Sequence, residues 1–194
     1  NETRGNSIHK MWERMNVVMS LIEHIYALFN NFKDEECRAW SGREATWNPN
    51  WDQEIDGQWE LIVKNSPIPL PDDYRELFYV FGGGGIEDQR PDWIIPEMTF
   101  WKWGDMKDFD AALKFFDACP KSLPFGDDMG DNVYFISDGD EEKGIYMSDK
   151  STFRNKKFRR KIADSFTELF TDTETQRLFR NYSNYGYDKG GDGR

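Results

Sequence analysis

The sequence feature that most constrains the fold is a pair of apolar, β-rich segments in the second half of the chain. Residues 132–137 read Asn-Val-Tyr-Phe-Ile-Ser and residues 144–148 read Gly-Ile-Tyr-Met-Ser. The polar run between them begins with Asp138 and Gly139, a pair typical of tight turns. Two such runs around a polar turn predict an antiparallel hairpin. The fold must therefore contain an antiparallel sheet.

Helical segments precede the hairpin. Apolar residues recur at steps of three and four across residues 8–32, which predicts a long amphipathic N-terminal helix that faces the core. Pro71, followed by two aspartates, predicts a second helix, and the glycines at 82–85 end it. Asp105 or Asp108 is expected to cap a third helix.

A last helix follows the hairpin. The stretch Ser165-Phe-Thr-Glu168 is a capping box, which predicts that this helix begins near Ser165. Thr173 and Gln176 repeat the pattern, so we expect the helix to break and restart there. The Gly- and Asn-rich residues 183–194 predict a loose tail.

The region between the first two helices has no clear period. Residues 33–59 hold four tryptophans among Gly, Pro, Asn and acidic residues, and we interpret them as an ordered loop with short pieces of structure. Residues 60–64, Glu-Leu-Ile-Val-Lys, predict a short strand, and Ile94 and Ile95 predict another. Helices around an antiparallel sheet make the predicted fold class α+β.

The charge balance excludes some classes of partner. The chain has 25 Lys and Arg against 36 Asp and Glu, a net charge of -11. Such a surface repels nucleic acid and anionic membranes and attracts basic proteins. Cys37 and Cys119 have no metal-knuckle spacing, and no apolar stretch is long enough to span a membrane. We expect a cytoplasmic protein without a nucleic-acid or membrane partner, in an oligomeric state that the sequence leaves open.

The sequence does not contain the residue combinations that are typical of catalytic or metal sites. The two histidines, His9 and His24, lie on the predicted first helix about 22 Å apart, so they cannot share a proton or a metal. No Gly-Lys-Ser/Thr follows the glycines at 82–85, as a phosphate-binding loop requires. The acidic run from Asp138 has Lys143 where a calcium loop needs Gly. We predict no catalytic residue, no metal and no cofactor: the protein is not expected to be an enzyme.

Four blocks of residues follow one another in the last two thirds of the chain. They are Leu70-Pro-Asp-Asp-Tyr74 with Phe78 and glycines 82–85, Leu123-Pro-Phe-Gly126 with Gly130-Asp131 and Asp138, Gly144-Ile145-Tyr146, and Ile162-Ala-Asp-Ser-Phe-Thr-Glu-Leu-Phe170. In this order the blocks resemble the SUKH superfamily, which has the Smi/Knr-type fold. The resemblance covers about residues 67–172 and implies an α+β domain with a mostly antiparallel sheet flanked by helices. We place this single domain at residues 1–182, with a Trp-rich insertion at 38–59.

The resemblance also implies a role in protein binding. Bacterial members of the superfamily are typically immunity proteins encoded beside polymorphic toxins, many of them nucleases. Fungal members include regulators of cell-wall synthesis, which makes a regulatory scaffold the alternative. Such scaffolds tend to carry long disordered flanks, and the short tail here favours a protein that binds and neutralises a basic toxin domain.

Two groups of residues are the candidate partner-binding site. Between Phe125 and Glu142 the chain is acidic without a single basic residue. Tryptophans in the insertion are candidate anchors, since Trp is enriched at binding hot spots, although they would serve equally to close the insertion over the core. The basic run at 154–161 could contact nucleic acid or act as a localisation signal. We favour a solvated or internally compensated surface for it, and pairing with the acidic cluster stays open. The candidate residues are Asp127, Asp128, Asp131, Asp138, Asp140, Glu141, Glu142, Trp40, Trp47 and Trp51.

Overall fold

A computed structural model describes residues 37–40, 50–88, 98–139 and 142–172, together with residues 21, 23 and 175. Of residues 37–40, 51, 87 and 88 it describes the backbone alone. In chain order the elements are β1 (Cys37–Trp40), α1 (Trp51–Asn65), α2 (Asp72–Phe81), β2 (Gly85–Asp88), β3 (Met98–Thr99), α3 (Trp103–Leu113), α4 (Phe115–Ala118), β4 (Ser122–Asp127), β5 (Asn132–Ser137), β6 (Gly144–Asp149), a 3-10 turn (Lys156–Phe158), β7 (Arg160–Ala163) and α5 (Phe166–Thr171).

Two antiparallel sheets lie in the described part of the chain. The larger sheet has the strand order β4-β5-β6-β7, and the smaller has the order β1-β2-β3. The predicted hairpin is β5 and β6, paired from Asn132 opposite Asp149 to Ser137 opposite Gly144. Helices flank these antiparallel strands, so the predicted α+β class is confirmed.

The helix predicted after Pro71 is confirmed. Pro71 is the extended N-cap residue, Asp72 and Asp73 occupy the first turn, and the helix ends at Phe81. The stop is a change of backbone conformation, since Gly83 adopts the left-handed region at a φ of 75°. The carbonyl of Phe81 then accepts a hydrogen bond from the Gly84 amide at 2.6 Å.

The strand predicted at residues 60–64 is wrong, because these residues form the end of α1. Ile55, Trp59 and Ile62 follow one another at steps of four and three, which puts all three on the face of α1 that packs into the core. Leu61 and Val63 are 41% and 52% exposed. The helical spacing of apolar residues over the longer segment therefore outweighs the local β propensity of Leu-Ile-Val.

The expected cap of the third helix is also corrected. The helix α3 begins after Lys102, and Asp105 occupies its first turn instead of the cap position. The Asp105 Oδ2 accepts a hydrogen bond from the Lys102 amide at 2.9 Å, so it stabilises the helix end from within. Asp108 lies inside the helix.

The predicted capping box of the last helix is confirmed in the hydrogen bond between Ser165 and Glu168. The Ser165 hydroxyl accepts a hydrogen bond from the Glu168 amide at 3.0 Å. The carboxylate of Glu168 reaches one residue further back than usual and accepts from the Asp164 amide at 2.6 Å. This helix is α5, which begins at Phe166.

Several expectations lie mostly outside the described residues. Of the N-terminal helix, Leu21 and Glu23 are helical, and Leu21 is buried with the core. The strand at Ile94 and Ile95, the restart at Thr173 and Gln176 and the tail at 183–194 are not among the described residues.

The two sheets meet at Gly126. The chain after β3 lies against β4, where the Trp101 amide donates to the Phe125 carbonyl at 2.8 Å. A Cβ atom on Gly126 would lie far inside the van der Waals contact distance to the Thr99 carbonyl oxygen. The pairing of β4 with β5 is irregular at the same point, between Pro124 and Gly126. Glycine is thus required here by a close backbone approach.

The substitution Gly126→Ala is expected to lower the free energy of unfolding by about 2 kcal/mol or more, because the new methyl group meets backbone that cannot move aside. Gly57→Ala is the matched control. Its Cβ meets nothing within 4 Å, so a helix glycine is replaced without a clash and stability should rise by about 0.5–1 kcal/mol. Urea unfolding of both variants measures the difference, and equal stability would contradict the close approach.

Candidate functional site

The acidic residues predicted to bind a partner are divided between two ends of one strand. Asp127 ends β4, and Asp128 and Asp131 lie in the turn that joins it to β5, whereas Asp138 and Glu142 belong to the turn after β5. The six residues of β5 separate these turns by about 20 Å at about 3.4 Å per residue. The acidic sequence run is therefore two surfaces, which we call the 127–131 turn and the 138–142 turn.

Lysines balance much of the charge at the 138–142 turn. The Glu142 carboxylate lies 3.2 Å from the Lys161 ammonium, and Asp138 lies 3.9 Å from Lys143. Lys161 also pairs with Asp164. The hydrogen bond that Lys161 donates to Asp164 is the main cause that raises the pKa of Lys161, and Glu142 adds to it. The other acidic residues predicted here, Asp140 and Glu141, lie outside the described residues.

A single lysine organises the 127–131 turn. The Lys150 ammonium lies 2.8 Å from the Asp127 carboxylate and donates to the Gly130 carbonyl at 2.6 Å. Thr99 donates its hydroxyl to Asp127 at 2.5 Å, which ties the turn to the smaller sheet. Asp127 is thus engaged in holding the turn.

The next aspartate shapes the turn from within. The Asp128 carboxylate accepts hydrogen bonds from the Gly130 amide at 2.9 Å, the Asn132 amide at 3.0 Å and the Asn132 side chain at 2.6 Å. Such local bonds fix the backbone of a turn. Asp131 keeps an exposed side chain. Of the three predicted aspartates, one therefore pairs with lysine, one builds the turn and one faces solvent.

Met129 stands at the tip of this turn in an unusual conformation. Its φ is 53°, in the left-handed region that non-glycine residues rarely adopt. The Met129 amide donates to the Asp127 carboxylate at 3.2 Å, and the side chain is 59% exposed. A large apolar side chain is thus held in solvent by a strained backbone.

A groove of about 470 Å³ opens beside Met129. Its lining combines apolar residues with two aspartates of α3. Sequence reasoning missed this juxtaposition: it considered Asp105 and Asp108 only as caps and passed over Met129, because no local pattern links α3 to a turn about twenty residues later. The residues that line the groove are Gly83, Gly84, Thr99, Phe100, Trp101, Asp105, Asp108 and Met129.

The predicted tryptophan anchors remain predictions. Trp40 ends β1 and Trp51 begins α1, and the structure describes the backbone of both. Trp47 lies outside the described residues. Trp59, the fourth tryptophan of the same stretch, packs against the core, with ring centroids 5.6 Å from Phe78 and 5.8 Å from Tyr74.

The basic run at 154–161 is partly used by the fold. The Arg154 guanidinium donates to the Leu113 carbonyl at 2.6 Å, and that of Arg159 donates to the Ala118 carbonyl at 2.9 Å. Lys156 and Lys157 are exposed. The run is thus compensated in part and solvated in part, which agrees with the interpretation favoured from the sequence.

A comparison with protein-family models matches residues 56–172 to the SMI1 / KNR4 family (SUKH-1). The chain belongs to this family. The resemblance drawn from the four sequence blocks is thereby confirmed, and the SUKH-1 match begins inside α1, before the residue 67 inferred from the blocks. No curated protein and no solved structure matched the chain.

Membership of this family indicates the general class of function. SUKH-1 domains are generally non-catalytic and have immunity or regulatory roles, and toxin proteins are common partners. Among the residues described, no three His, Cys, Asp or Glu side chains are grouped as ligands for a metal ion. No helix in the same part of the chain is long and apolar enough to cross a membrane.

The substitution Lys150→Met is expected to loosen the 127–131 turn, since it removes the ion pair with Asp127 and the bond to the Gly130 carbonyl. We expect the free energy of unfolding to fall by about 1 kcal/mol, and amide exchange at Met129 and Gly130 to become faster. Lys156→Met, at an exposed position, is the control and should change neither. Unchanged amide exchange in Lys150→Met would show that the lysine does not hold the turn.

Proposed function

We propose that this SUKH-1 protein is an immunity protein of the cytoplasm, which binds a basic toxin domain of the nuclease type and covers its active site or substrate groove. It acts by occupancy and carries out no reaction. The observation that carries the proposal is the family match, joined to an acidic surface that ends in a displayed apolar side chain.

Charge supports a basic partner. The net charge of -11 attracts cations at long range. A nuclease must bind phosphates, so its substrate surface is basic and complementary to this protein. Complementary charge speeds association and discourages wrong partners more than it tightens the complex. An immunity protein benefits from speed, because it must reach the toxin before the toxin reaches its substrate.

The 127–131 turn is the better-supported contact surface of the two. At the 138–142 turn, Lys143 and Lys161 stand beside the carboxylates and weaken the local field. Asp131 is exposed, and the groove beside Met129 adds two further carboxylates from α3. A polar rim around an apolar centre is the usual anatomy of a protein interface, and the rim proposed here is acidic. Trp40, Trp47 and Trp51 remain proposed as additional anchors.

The alternative is a regulatory scaffold of the cell-wall synthesis type. The same family match supports it, since the SMI1 / KNR4 family includes such a role. A scaffold would bind its partner without rescuing cells from a toxin, so a test of protection separates the two functions.

The first test takes the toxin domain that the proposal expects to be encoded beside this protein's gene and expresses the two together. We expect the cells to survive, and the purified pair to associate more slowly as salt rises from 50 to 500 mM, because salt screens the attraction. Cell death with the protein present, or no complex at either salt concentration, would reject the immunity role.

A charge reversal locates the contact surface. Asp131→Lys is expected to slow association roughly threefold or more, since it reverses a charge at the proposed surface. Asp117→Lys makes the same change on α4, at another exposed position. Stopped-flow association rates compare the two variants. An equal effect at both positions would mean that net charge alone, and not the 127–131 turn, guides the partner.

A further inference from the structure

The groove beside Met129 carries more specific information about the partner. We propose that it receives one arginine side chain of the protein partner, with the aliphatic stem against Met129 and Trp101 and the guanidinium against Asp105 and Asp108. This inference rests on the proposed function in requiring a basic protein partner, and it names the contact that such a partner makes.

The groove has the size and the apolar lining for a long side chain. Its volume of about 470 Å³ lies within the range of about 300–1,000 Å³ that is common for binding pockets. Trp101 is half-buried and Met129 is exposed, whereas the Phe100 side chain is buried in the core. A methylene chain laid along Trp101 and Met129 would remove apolar surface from water on both partners. The polar end of the chain would then reach α3.

Two aspartates of α3 supply the negative charge that matches a cation. Asp105 and Asp108 are three residues apart on α3, so their carboxylates lie on one face of the helix. The described cations beside the groove are committed to other carboxylates: Lys102 lies 2.6 Å from Glu54, and Lys150 pairs with Asp127. The negative charge of the α3 face is thus left available to a cation from the partner.

Arginine suits this pair of aspartates better than lysine does. A guanidinium is planar, carries five donors and can address two carboxylates at once. A guanidinium also stacks on aromatic rings, and Trp101 is one of the residues that line the groove. A lysine ammonium is a compact, strongly hydrated charge that gains less from the same geometry.

The conformation of Met129 is an independent sign that its side chain is displayed for contact. A left-handed turn position is most easily filled by glycine, and a side chain there costs about 1 kcal/mol. Asp127 and Asp128 hold the turn through bonds to amides and to the Asn132 side chain, so the turn itself does not need methionine. Methionine adapts its shape to a contacting group, which suits a mobile arginine stem.

The test uses three short peptides as probes: acetyl-Gly-Arg-Gly-amide, its lysine analogue and its norleucine analogue. The intact protein is titrated while NMR follows the Met129 methyl and the Trp101 indole. We expect saturable shifts with the arginine peptide in the millimolar range, where a single side-chain contact belongs. The lysine and norleucine peptides should bind at least about fivefold more weakly. Absence of shifts, or equal shifts with all three peptides, would overturn the inference.

Variants separate charge from shape. Asp105→Asn/Asp108→Asn retains oxygen acceptors, including the one that stabilises α3, and should weaken the arginine peptide about fivefold or more. Asp117→Asn is the matched control and should leave binding unchanged. Met129→Gly should weaken binding without lowering the free energy of unfolding, because glycine accepts the left-handed conformation. Full binding by the double Asn variant would refute the role of the carboxylates.

The same variants distinguish this inference from the proposed function. If the toxin domain is neutralised equally by the natural chain, by Asp105→Asn/Asp108→Asn and by Met129→Gly, the immunity role stands and the groove contact is refuted. If the arginine peptide binds the groove and the toxin domain is not neutralised, the immunity role fails while the groove contact holds.

Discussion

The backbone of β4 and the end of β3 lie so close together at Gly126 that a single methyl group would force them apart. Around this point, the Trp101 amide bonds to the Phe125 carbonyl, and the Thr99 hydroxyl bonds to Asp127. These contacts bring the 127–131 turn to the start of α3. The groove exists because the two sheets touch there, so the candidate site depends on backbone packing before it depends on any charged group.

A second long-range contact joins the first and last of the four sequence blocks. The Asp73 carboxylate accepts hydrogen bonds from the Thr167 amide at 2.9 Å and from its hydroxyl at 3.2 Å, so α2 supplies an extra cap to α5. Tyr74 stacks on Phe166 with centroids 5.4 Å apart. Burial raises the pKa of Tyr74, so its hydroxyl stays protonated inside the core. These two blocks therefore build the frame of the domain.

Local signals explain which elements could be predicted from the sequence. The β5–β6 hairpin, the start of α2 and the Ser165 capping box are each specified by a few adjacent residues, and all three are confirmed. Residues 60–64 were misassigned because their β propensity is local, whereas the period that makes them helical extends back to Ile55. The site was harder still. The acidic run is continuous in sequence, but a strand divides it, and the groove depends on contacts between distant segments.

The backbone of the 127–131 turn is fixed by Asp127, Asp128 and Lys150, and none of these bonds involves the side chain at position 129. That side chain can therefore be exchanged without rebuilding the scaffold beneath it. In such a turn, the residues that stabilise the fold are different from the residue whose side chain is exposed at the tip. One substitution at the tip of the turn could redirect such a protein to a new partner while leaving its stability almost untouched.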